Sequence, residues 1–191
     1  MRKFILMFFL ILIANITRAQ GYWKLESNED DYTMEKIYMI VHYVGGNIDA
    51  VYFPANNSLR VVKTYDGLAY FDTAWDAAVK NDGKISSRIT SVDYRLIITK
   101  DNYTEDSYDT TMYFEGYGDD GKIDTDGFFS YFYLSLEPDQ LKKSNYLSLK
   151  YYDKVAGSIV KRISLAGFAK CYNQVKSAVQ SAAPTIKIPL K

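Results

Sequence analysis

Residues 128–136 read FFSYFYLSL, residues 146–152 read YLSLKYY and residues 158–165 read SIVKRISL. In the second of these, Leu147, Leu149 and Tyr151 fall on one side while Ser148 and Lys150 fall on the other, the period-two pattern of a half-buried strand. The first is apolar at both parities, with its tyrosines on one side, which places it at the centre of a sheet. Between them, Glu137-Pro138-Asp139-Gln140-Leu141 reads as one short helical turn. Asp153 to Gly157 supplies a bend, so 146–152 and 158–165 are expected to form an antiparallel hairpin. The spacing then changes. Leu165, Phe168, Tyr172, Val175 and Val179 recur at intervals of three and four, predicting a C-terminal helix with Ser164 as N-cap and Pro184 as its stop.

Strand-length runs rich in aromatic and β-branched residues continue outward from this segment at 36–44, 94–99 and 110–115. Shorter candidates lie at 22–25, 50–53 and 59–64. Asp72 or Thr73 can cap a short helix through Trp75, Ala78 and Val79, ended by Asn81-Asp82-Gly83. Residues 116–127 (GYGDDGKIDTDG) read as a long surface loop. No internal repeat or linker divides the chain. The expected fold is mainly β: one antiparallel β-sandwich or partly open barrel with a C-terminal α-helix and one short additional helix.

The chain starts with Arg2 and Lys3, followed by the apolar run FILMFFLILIA at 4–14 and small residues before Gln20. This is a signal-peptide layout with cleavage expected after Ala19, leaving one β-rich domain at 20–191. Eleven apolar residues cross only about half of a ~30 Å hydrocarbon layer. No later run is longer, so no transmembrane segment is expected after cleavage, and the protein is expected in the periplasm or outside the cell. Residues 1–19 hold three basic and no acidic side chains. The remainder carries 20 basic against 23 acidic residues, a balance that argues against nucleic acid as partner. The single cysteine, Cys171, sits in the helical pattern and reads as a small buried hydrophobe.

Chemistry-bearing patterns are sparse. The single histidine, His42, lies within a strand and reads as a hydrogen-bonded structural residue rather than a zinc ligand or general base. No catalytic residue, metal ligand or cofactor is assigned. Asp119, Asp120, Asp124 and Asp126 crowd one loop. Aligning Gly127 on the glycine of an EF-hand puts Lys122 first and Tyr133 last, so the match fails. Tyr103, Tyr108, Tyr113 and Tyr117 offer either sheet-face packing or a stacking surface for sugars.

Charge is unevenly distributed. Nine acidic residues and one base lie between Asp101 and Asp126, whereas ten bases and one acid lie between Gln140 and Lys191. Lys142, Lys143, Lys150, Lys154, Lys161 and Arg162 fall in or near the expected hairpin. They are the candidate contact surface for an anionic envelope component or an acidic protein.

The stretch FFSYFYLSLEPDQLKKSNYLSLKYYD, followed by Ser164-Leu165-Ala166-Gly167-Phe168-Ala169 and Lys170-Cys171-Tyr172, resembles the C-terminal half of the invasion-associated locus B family of exported bacterial proteins. The fold-determining residues of that motif are Ser164, Leu165, Gly167 and Phe168. Gly167 is read as allowing close approach of the helix start to the sheet, and Phe168 as opening the buried stripe. The resemblance implies a β fold and a non-enzymatic protein acting through protein or envelope-surface contacts, and it carries over no catalytic residue. Two other functional classes are compatible with the residues: a periplasmic enzyme inhibitor or immunity protein, and a carboxylate-dependent hydrolase.

Overall fold

The structure, a computed structural model, describes residues 21–64, 86–99, 103–115, 129–153 and 157–182. The N-terminal segment, the helix expected at 72–83 and the loop at 116–127 lie outside the described residues. Nine strands form one antiparallel sheet: β1 (Tyr22–Glu29), β2 (Lys36–Val44), β3 (Asn47–Phe53), β4 (Ser58–Thr64), β5 (Ser86–Ile97), β6 (Tyr103–Glu115), β7 (Phe129–Ser135), β8 (Tyr146–Asp153) and β9 (Gly157–Ser164). The spatial order is β1-β2-β3-β4-β7-β6-β5-β8-β9. The sheet curls into a half-barrel, so of the two expected architectures the chain adopts the partly open barrel. Strand β7 lies fifth of nine, as its two apolar faces require.

Cross-strand partners share a face, so the register sorts the side chains. Trp23 faces His42, Ile40 faces Tyr52, Val61 faces Phe132 and Leu59 faces Leu134. All of these point into the concave side. They join Met112, Leu147, Leu149, Tyr151 and Ile163 in one buried core. Helix α1 (Pro138–Lys143) has Pro138 in its first turn, where a missing N–H costs nothing, and buries Leu141.

Helix α2 (Phe168–Ala182) lies against β1 and β2. Phe168, Cys171 and Val175 are buried on its inner face, and Phe168 meets Trp23 and Tyr52 edge-on at 5.2 and 5.1 Å between ring centroids. Trp23 also donates from Nε1 to the Ser164 carbonyl at 2.7 Å, tying the first strand to the end of the ninth.

Three expectations about this region change. Ser164 is not the helix cap: it ends β9, and the helix begins four residues later at Phe168. Gly167 is required for conformation rather than proximity. Its φ is +88°, and a Cβ placed there would meet nothing within 4 Å. The buried stripe also stops at Val175, because Val179 is half exposed.

Strand β6 is longer than the run 110–115 because its acidic start is paired across the ladder. Arg95 of β5 holds Glu105 at 2.5 Å, and the Tyr94 hydroxyl donates to Asp106 at 2.9 Å. Burial first, and then this bond, push the Tyr94 phenol up to about 12.

Candidate functional site: an interior charge network and an outer aromatic face

The basic residues proposed as one surface are not brought together. Lys142 binds Asp139 at 2.5 Å and sits 4.9 Å over the Tyr172 ring, so it fastens α1 to α2. Lys143 is exposed on α1. Lys150 and Arg162 share the outer face of the β8–β9 hairpin as diagonal neighbours, and Arg162 lies 3.9 Å over Tyr146. Lys154 falls outside the described residues. Lys161 points the other way, into the barrel. Adjacent residues of a strand face opposite sides, so Lys161 and Arg162 cannot serve one surface.

Inside, Lys161 forms an ion pair with Asp49 Oδ1 and donates to the Val62 carbonyl. Asp49 reaches this position through a β-bulge. His42 pairs with Ala50 and Tyr43 with Ile48, leaving Asp49 as the extra residue of β3. Its other carboxylate oxygen lies 3.1 Å from His42 Nδ1. Burial alone would raise the Asp49 carboxyl. The hydrogen bond from His42 and the charge of Lys161 outweigh burial and hold the carboxyl below the usual carboxylate range. Lys63 is shifted down by burial, with Asp153 opposing and Lys161 adding to the shift. Burial pushes the Tyr151 phenol up, and its hydroxyl has no hydrogen-bond partner among the described residues.

His42 is buried, with Nδ1 committed to Asp49 and Nε2 unpartnered among the described residues. Gly21 closes over that ring. A Cβ at residue 21 would stand 2.4 Å from His42 Nε2 and 2.7 Å from the Tyr43 carbonyl oxygen. Gly21→Ala is therefore expected to push the imidazole off Asp49 and cost about 1–3 kcal/mol. Chemical denaturation of the variant measures this, and an unchanged midpoint would show that the ring has room to move. The network is thus a packed interior feature rather than a cleft. Among the described residues, no group of three or more His, Cys, Asp or Glu could hold a metal ion.

The outer face is different in character. Phe53 of β3, Arg60 of β4, Tyr131 and Tyr133 of β7, and Tyr113 of β6 form a continuous row across four neighbouring strands. Tyr113 stacks on Tyr131 at 5.5 Å, Tyr131 meets Tyr133 at 5.8 Å, and Phe53 lies 6.3 Å from Tyr133. The Arg60 guanidinium sits over both Phe53 (5.9 Å) and Tyr131 (5.6 Å), and its buried Nε has no hydrogen-bond partner among the described residues. Beside this row, Phe53, Asn56, Ser58 and Tyr133 line an open depression.

Of the tyrosines singled out in the sequence, only Tyr113 belongs to this row. Tyr103 stacks under Arg95 at 5.2 Å, and it lies ten residues from Tyr113 along one strand, about 33 Å. Tyr117 is outside the described residues. Phe53 and Arg60 were not singled out, because their meeting depends on the β3–β4 pairing. The single hint was the row of tyrosines on one side of 128–136.

No protein-family model, curated protein or solved structure matches the chain.

Proposed function

We propose that this is an exported, non-enzymatic binding protein that works through contacts with the cell envelope or with a protein at its surface. The observation that carries this reading is the row of partly exposed aromatic side chains around Arg60. Partly exposed rings set among the buried Val51 and Val62 of the same face combine contact area with low ordering cost, and the Arg60 cation among them adds directional polarity. Export rests on the charged start and short apolar run at the N-terminus, and the class of function also draws on the resemblance of residues 128–175 to invasion-associated locus B proteins. The basic hairpin is a lesser contributor, because only Lys150 and Arg162 share its outer face.

Cell fractionation with intact mass measurement tests the proposal. The recovered protein is expected to begin at Gln20 and to sediment with envelope material from the outer side. Recovery of the whole chain in the cytoplasm, or of processed protein that never associates with envelope, would defeat it.

A further inference from the structure

Resting on that reading of a binding protein, we infer that the aromatic row around Arg60 is a site for an acidic polysaccharide of the uronic-acid type. A sugar ring presents C–H groups on its faces and hydroxyls around its rim. Its faces suit Phe53, Tyr133 and Tyr113, which are partly exposed on the outer side of adjacent strands. Its hydroxyls suit the polar edge of the depression. There Asn56 Oδ1 accepts from the Ser58 backbone N–H at 3.2 Å and from its hydroxyl at 2.6 Å. The Asn56 amide N–H groups make no hydrogen bond among the described residues.

This edge is preorganised. Asn57 holds the β3–β4 turn in a left-handed conformation (φ 53°), its carbonyl accepts from Leu136 N–H at 2.9 Å, and its Oδ1 lies 3.2 Å from the buried Tyr52 hydroxyl. A loop already fixed loses little entropy when it binds.

Arg60 selects for acid. It is a permanent cation; its Nε is buried, and the planar fork of its terminal N–H groups has a shape that matches a carboxylate. Among the described residues it has no acidic partner, and Phe53 and Tyr131 hold it in place. A single cation set among rings fits one carboxylate per few sugar units better than the dense phosphates of a polynucleotide, which the 23 acidic against 20 basic residues of 20–191 also disfavour. Three strand spacings give the row a length of about 14 Å, room for a short run of sugar units lying across the strands.

Calorimetric titration of the purified protein with galacturonate oligomers, neutral galactose oligomers of equal length and inorganic phosphate tests the assignment. The acidic oligomer is expected to bind, the neutral one to bind more weakly, and phosphate alone not to displace the oligomer. Tyr133→Ala and Phe53→Ala are each expected to weaken binding about tenfold or more. Arg60→Gln is expected to abolish the preference for acid over neutral oligomer. If Arg60→Gln does not fold, the exposed-ring variant Tyr133→Ala decides.

No binding of the acidic oligomer, or equal binding by wild type and Tyr133→Ala, overturns the inference. Displacement by phosphate at equal concentration also overturns it, since the site would then be an anion site without a role for the rings. Envelope sedimentation of Tyr133→Ala separates the two proposals. Sedimentation retained without oligomer binding leaves a binding protein whose ligand is not this one. Oligomer binding without envelope sedimentation leaves the saccharide site standing and removes the envelope as its location.

Discussion

Phe168→Ala is expected to lower stability by about 3–5 kcal/mol, the cost of removing a fully enclosed aromatic ring. Phe168 is wholly buried and touches Trp23, Tyr52 and Tyr172 through ring contacts of 5.2, 5.1 and 6.2 Å. Two of those neighbours are themselves anchored. Trp23 is hydrogen-bonded to the Ser164 carbonyl, and the Tyr52 hydroxyl lies 3.1 Å from the Leu136 carbonyl oxygen. A cavity bounded by fixed rings cannot collapse, so the loss should fall near the upper end of the range. Val179→Ala, on the same helix but half exposed, should stay within about ±0.5 kcal/mol. Urea titrations with a common slope compare the two directly. Equal, small shifts would mean that α2 does not pack on β1 and β2 through Phe168.

The contrast between Phe168 and Val179 also shows what could be read from the chain. Periodicity gives the face of a helix but not how far along it burial extends, and on α2 burial ends between Val175 and Val179. The same limit applies to strands. Alternation in 146–152 identifies β8 and its buried residues, while the run of apolar residues at both parities in 128–136 identifies β7. In SIVKRISL, alternation also places Lys161 with Ile159 and Ile163, which marks a lysine on the buried face. Charge groups Lys161 with Arg162, but parity puts the two on opposite faces.

Asp49 had no comparable mark. Its inward position depends on the bulge opposite His42 and Tyr43, and a bulge adds a residue without changing composition. The outer aromatic row was half legible. The β7 tyrosines follow from parity, whereas Phe53 and Arg60 join them only through a strand order that places β4 beside β7.

Asp49→Ala should be as damaging as loss of the Phe168 ring, for an electrostatic reason. Both side chains of the Asp49–Lys161 pair are largely buried, at 16% and 17% exposure. Removing the carboxylate takes the Lys161 cation's ion-pair partner away, leaving its contacts with the Asp49 and Val62 carbonyl oxygens, and leaves His42 Nδ1 without its acceptor. Breaking a buried pair from one side costs about 3–5 kcal/mol, whereas replacing both partners by apolar groups is often close to neutral. Asp49→Leu combined with Lys161→Met should therefore recover part of what Asp49→Ala loses, and the double-mutant comparison isolates the pairing.

The pair also fixes a pH dependence. The folded Asp49 carboxyl lies below its unfolded value of about 3.9, so as pH falls the unfolded chain takes up that proton first. Its contribution is complete above that unfolded value and disappears as pH drops through the lower, folded one. Wild-type stability measured from pH 6 downward should thus fall more steeply below about pH 4 than that of Asp49→Asn, which has no proton to gain there. Parallel acid limbs in the two proteins, with Asp49→Ala within about 0.5 kcal/mol of wild type at neutral pH, would mean that the bulge carries Asp49 inward without its charge supporting the fold.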